Sequence, residues 1–114
     1  MTTETFTALE RALLDWIAAE SGSDLLTAQL SSAALKRRDY TRTGFFIYLS
    51  APEELAPVEA GTRPVCPLIT SAALYDGAGC NLFLRDGRLH YLEIYARGGF
   101  LPEQLDRFEL LPDS

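Results

Sequence analysis

Gly79-Cys80-Asn81-Leu82-Phe83-Leu84-Arg85-Asp86-Gly87-Arg88-Leu89-His90-Tyr91-Leu92-Glu93-Ile94-Tyr95 is the stretch whose reading decides the fold. Two strand-prone runs flank Asp86-Gly87, a dipeptide suited to the two positive-φ positions of a type I′ turn. A two-residue loop sets the pairing, with Leu84 opposite Leu89, Leu82 opposite Tyr91 and Cys80 opposite Glu93. Strict alternation then groups Cys80, Leu82, Leu84, Leu89, Tyr91, Glu93 and Tyr95 on one face. The other face carries Asn81, Phe83, Arg85, Arg88, His90, Leu92 and Ile94. The first face is apolar except for Glu93, so it is expected to be the core face. A carboxylate placed there needs a cation or hydrogen-bond donors.

Working outward, Phe6, Leu9, Leu13, Trp16 and Ile17 recur at steps of three and four, the mark of an amphipathic helix. Thr7 and Glu10 have capping-box spacing, and Gly22 suits a left-handed terminator. Ser23-Asp24 offers a second N-cap ahead of Leu25, Leu26 and Leu30, which predicts a short second helix. From Ala33 to Arg42 the chain alternates as an extended strand. Thr43-Gly44 breaks it, and Phe45-Phe46-Ile47-Tyr48-Leu49 follows as a β-prone run. Phe45, Ile47 and Leu49 share one face of that run, Phe46 and Tyr48 the other. Both faces are apolar, so a central strand with cover on each side is expected.

Residues 51–64 hold Pro52, Pro57 and Pro64 among three glutamates and read as a surface loop. Pro67 to Tyr75 reads as a further strand, Arg97-Gly98-Gly99 as a hinge, and Phe108 to Leu111 as a short last strand. The sum is one α+β domain over residues 1–114: an N-terminal amphipathic helix and a short second helix packed on an antiparallel sheet of four to five strands. Short sequential connections favour a meander.

Composition narrows the function classes. The 114 residues are 47% hydrophobic and carry a formal net charge of −6, which fits a folded globule and argues against nucleic acid as a partner. Lys36, Arg37, Arg38 and Arg42 form a local basic run, read as a solvated strand face. No apolar run is long enough to span a bilayer, and no basic-then-apolar leader opens the sequence, so a cytoplasmic setting, without membrane contact, is expected. Cys66 and Cys80 are then free thiols that act as small hydrophobes. Two cysteines and one histidine at no ligand spacing predict no metal site and no cofactor. The glycine pairs lack phosphate-loop context, and no nucleophile motif or acid pair assigns a catalytic residue.

Tyr40-Thr41-Arg42-Thr43-Gly44-Phe45-Phe46, the Gly77-Ala78-Gly79 turn and the hairpin ending Leu92-Glu93-Ile94-Tyr95 together resemble a family of small bacterial domains. That family pairs a T-G-x-G-F-F-like strand with a G-A-G-x-x-L-F-x-x-D-G-x-L-x-x-L-E-x-Y-like hairpin. Thr43 departs from the strand pattern. The resemblance implies an α+β fold and gives weight to Glu93 and Tyr95, but it brings no chemistry.

Two functions follow as expectations. One is a non-enzymatic binding or protein-interaction module, homodimeric through the second face of the Phe45–Leu49 strand and open to a protein partner. The other is a small-ligand or enzymatic pocket around Glu93, Tyr91 and Tyr95, with Arg38 or Arg42 as counter-charge.

Overall fold

The computed structural model describes residues 5–113. Helices α1 (Ala8–Ser21) and α2 (Asp24–Ser31) precede six strands: β1 (Ala34–Tyr40), β2 (Gly44–Ser50), β3 (Leu68–Thr70), β4 (Ala78–Arg85), β5 (Arg88–Ala96) and β6 (Glu109–Leu111). The fold is α+β with a fully antiparallel sheet, of six strands rather than four to five.

Local chemistry explains both helices. The Thr7 side chain accepts from the Glu10 N–H while Glu10 accepts from the Thr7 N–H, closing the capping box. Gly22 ends α1 in the left-handed region at φ 67°, and Ser23 caps α2 through the Leu26 N–H. Leu9, Leu13, Leu14 and Ile17 of α1 join Leu26 and Leu30 of α2 over the inner side chains of the sheet, namely Phe45, Ile47, Leu49, Cys80, Leu82, Leu92 and Ile94. One helical layer on one sheet layer gives a slab of 42 × 40 × 19 Å.

The strand order is β1-β2-β5-β4-β3-β6, so the expected meander is corrected. β1–β2, β3–β4 and β4–β5 are sequential antiparallel pairs, whereas β2–β5 and β3–β6 join strands distant in the chain. After β2 the 51–67 connection carries the chain past the β4–β5 hairpin, and β3 joins the far side of β4. Proline-rich sequence suits that connection, which needs no ladder partners and bends at two turns closed by Leu55 N–H to the Pro52 carbonyl and Thr62 N–H to the Glu59 carbonyl. The strand expected from Pro67 to Tyr75 shrinks to Leu68–Thr70. Gly44 sits where β2 crosses β5, and a Cβ there would land on the Ile94 carbonyl oxygen.

Two bulges set which side chains face which way. In β1 the register shifts between Leu35 and Arg37, which leaves Lys36 as the extra residue. In the β4–β5 hairpin Arg85 pairs with Arg88 and Leu84 with Leu89 as expected, at a turn with Asp86 at φ 54° and Gly87 at φ 76°. The register then shifts: Phe83 pairs with Tyr91, Leu82 with Leu92 and Asn81 with Glu93, so His90 is the unpaired residue. One inserted residue moves everything beyond it to the opposite face. Leu92 and Ile94, not Tyr91 and Glu93, lie in the core, at 0% and 1% exposure. Burial decides between the two registers: two aliphatics go inside, and a carboxylate and two tyrosines go out.

The hairpin turn is anchored from the helix side, although Arg85 and Asp86 remain exposed. Buried Gln29 of α2 donates to the Gly87 and Ala56 carbonyls at 2.8 and 3.1 Å and accepts from the Leu89 N–H at 3.1 Å. Val58 N–H donates to Gly87 at 2.8 Å, so the 51–64 loop folds over the turn.

Candidate functional site

The two bulges lie on either side of Tyr48, whose neighbours in register are Arg37 on β1 and Tyr91 on β5. They build a continuous aromatic cluster on the sheet face that the helices leave uncovered. Tyr91 stacks on Phe83 with ring centroids 4.5 Å apart, and meets Tyr48 at 5.8 Å and Phe46 edge-on at 6.0 Å. His90 meets Tyr91 at 5.0 Å and Tyr48 at 6.4 Å, both edge-on. The Arg37 guanidinium lies 4.3 Å from the Tyr48 ring centroid and pairs with Asp39 at 3.2 Å. Phe83 and Tyr95 remain 38% and 40% exposed. The Tyr95 ring extends this surface by lying over Gly79, where a Cβ would strike its ring.

The five residues expected to make a site fall in three places. Tyr91, Glu93 and Tyr95 share the open face, where Asn81 Nδ2 donates to Glu93 Oε1 at 3.4 Å. Arg38 is on the helix side. Its Nε and Nη2 donate to the two Glu10 carboxylate oxygens at 2.6 Å each, and Nη2 also reaches the Thr5 carbonyl at 3.0 Å. This fork locks the start of α1 to β1, with Glu10 only 3% exposed. Arg42 lies in the β1–β2 turn at φ 74°, beside Tyr40 and Phe100. The sheet thus separates Arg38 from Glu93, Arg42 sits apart in the β1–β2 turn, and the expected buried carboxylate is corrected to a half-exposed one on the open face.

A second feature lies at the margin of this face. Residues 63–67 run beside β4 and form with it an open groove of about 520 Å³ whose lining includes Cys66, Cys80, Leu82, Phe83 and Tyr95. Cys80 is buried and its thiol donates to the Pro67 carbonyl at 3.4 Å; Cys66 is half-buried. The neighbouring Cys80 thiol, opposed by burial and helped by the Leu82 N–H, holds the Cys66 thiol below its ordinary pKa. The Cys66 thiol, burial and the charge of Cys66 push Cys80 far above its own. Only the even count of cysteines hinted at this pairing, since 13 intervening residues and a short strand separate them.

Among the described residues no group of three or more His, Cys, Asp or Glu side chains could hold a metal ion, and no helix is long and apolar enough to cross a membrane. No protein-family model, curated protein or solved structure matches this chain.

Proposed function

We propose that the protein is a non-catalytic interaction module that assembles through the open aromatic face of its sheet, with a second copy of the chain as the occupant. The observation that carries this reading is the cluster of Phe46, Tyr48, Phe83 and Tyr91, held together on the side of the sheet away from both helices. Rigid aromatic side chains supply large contact area at low entropic cost, which is why they dominate the centres of protein interfaces.

Charge and area favour like meeting like. The long strands place Arg37, Arg85 and Arg88 on this face against Asp39 and Glu93, so it does not share the net −6 of the whole chain. Two copies can therefore approach here without the repulsion that the rest of the surface would impose. Four long strands and the 63–67 ribbon, at about 4.8 Å spacing and roughly 24 Å long, give roughly 600 Å² of flat area. Side-chain relief brings that near the ~800 Å² per partner of a standard interface. A two-fold axis through the Tyr91 region would make the patch self-complementary, as an isologous dimer requires.

Light scattering over a concentration series tests the reading. The wild-type chain should approach twice the 12.6 kDa chain mass, and Phe83→Asp should hold it at the single-chain mass with an unchanged far-UV spectrum. A wild-type chain that stays at the single-chain mass throughout removes the second copy as occupant.

A further inference from the structure

The Cys66–Cys80 pair is a cluster of nucleophilic side chains that the aromatic face does not use. We propose that it is a reversible oxidation site: a hydroperoxide entering the groove beside β4 converts the two thiols into an intramolecular disulfide. Three observations support this. Both cysteines line the same groove, and Cys80 Sγ donates at 3.4 Å to the carbonyl of Pro67, the residue that follows Cys66. Their accessibility is asymmetric, with Cys66 half-buried on the groove and Cys80 5% exposed beneath it. The groove is open to solvent, so a small oxidant can reach Cys66 without unfolding the sheet.

The asymmetry assigns the roles. Cys66 is the attacking sulfur: it is the more exposed of the two and lines the open groove, while Cys80 is 5% exposed and directs its S–H to the Pro67 carbonyl. Its sulfur attacks the outer oxygen of the hydroperoxide, forming an S–O bond and breaking the O–O bond. The leaving alkoxide, or hydroxide if the oxidant is hydrogen peroxide, takes up the proton that Cys66 has shed. Cys66 is now a sulfenic acid, the first rung of cysteine oxidation. Cys80 then attacks the Cys66 sulfur, the S–S bond forms as the S–O bond breaks, and the proton of Cys80 leaves with the hydroxide as water. The net change is two thiols oxidised by two electrons and one hydroperoxide reduced to an alcohol plus water. Disulfide exchange with a small dithiol reverses it.

The site also bears on the open face. Cys80 is flanked in β4 by Gly79, under the Tyr95 ring, and by Asn81, the hydrogen-bond partner of Glu93. A bridge at Cys80 would tie the 63–67 ribbon to the strand that carries Phe83.

The test is mass spectrometry of the intact wild-type chain before and after a modest excess of hydrogen peroxide, with thiols counted under denaturing conditions. The expected result is the loss of two hydrogens, a thiol count falling from two to zero, a peptide map linking residues 66 and 80 within one chain, and full recovery with a dithiol reductant. In Cys80→Ser, dimedone should trap a sulfenic acid at Cys66; in Cys66→Ser, the remaining buried thiol should stay reduced under the same exposure. Two thiols persisting in the wild-type chain, oxidation of Cys80 ahead of Cys66, or a disulfide found only between chains would each overturn the proposal. The wild-type measurement needs no variant to fold.

Discussion

Replacing Leu92 and Tyr91, one at a time, by alanine tests the bulge at His90 that turns the second half of the hairpin over. With strict alternation Tyr91 would be the core residue and Leu92 the outer one; in the structure Leu92 is 0% exposed and Tyr91 is half-buried on the open face. Leu92→Ala empties a fully packed site, and such truncations cost about 2–5 kcal/mol. Tyr91→Ala loses the stack on Phe83 at 4.5 Å, about 0.5–1.5 kcal/mol, and some part-buried area, for roughly 1–2 kcal/mol in all. Urea unfolding followed by circular dichroism measures both, and at about 4 °C per kcal/mol a thermal melt separates them by several degrees. Melts at two protein concentrations remove any contribution from chain association. A Tyr91 variant less stable than the Leu92 variant would refute the register and, with it, the open aromatic face.

Glu10→Gln leaves the Arg38 fork facing a neutral amide, and breaking such a buried pair costs about 3–5 kcal/mol; a loss below about 1 kcal/mol in a urea melt would show that the pair is not a clamp. Glu93→Gln should change stability by less than about 1 kcal/mol, since its bond to Asn81 is long and the group is half-exposed. Gly44→Ala should prevent the β2–β5 pairing, because its Cβ would meet the Ile94 carbonyl; a folded variant with native amide exchange along β2 would contradict that. Gln29→Ala strands the Leu89 N–H and the Ala56 carbonyl, while the Gly87 carbonyl keeps the Val58 N–H, at about 1–3 kcal/mol for each buried group left unpaired, and should raise amide exchange at the hairpin turn first.

Local signals in the sequence carried most of the fold. The Thr7–Glu10 box, Gly22, Ser23 and Asp86-Gly87 each act through bonds to near neighbours, so their effects are readable residue by residue. The bulges are different. His90 is extra only because burying Leu92 and Ile94 under α1 and α2 outweighs continuous pairing from the turn, a competition between long-range burial and local ladder geometry. The same limit hid the candidate site. Tyr91, Glu93 and Tyr95 do lie on one face, as their spacing requires, but which face depends on one residue of register. Arg38 could not be assigned to Glu10 because the register shift at Lys36, which decides the face Arg38 takes, is not encoded in the local alternation. The adjacency of Cys66 and Cys80 depends on the 51–67 connection crossing to the far side of β4, which no local pattern encodes.

The central claim, that two copies meet through the aromatic face, is tested most directly by isotope-filtered NMR on an equal mixture of labelled and unlabelled chains. The account predicts intermolecular contacts that join the rings of Phe46, Tyr48, Phe83 and Tyr91 across the pair and spare α1 and α2. Intermolecular contacts centred on the helices, or none at concentrations where the aromatic resonances are sharp, would contradict it.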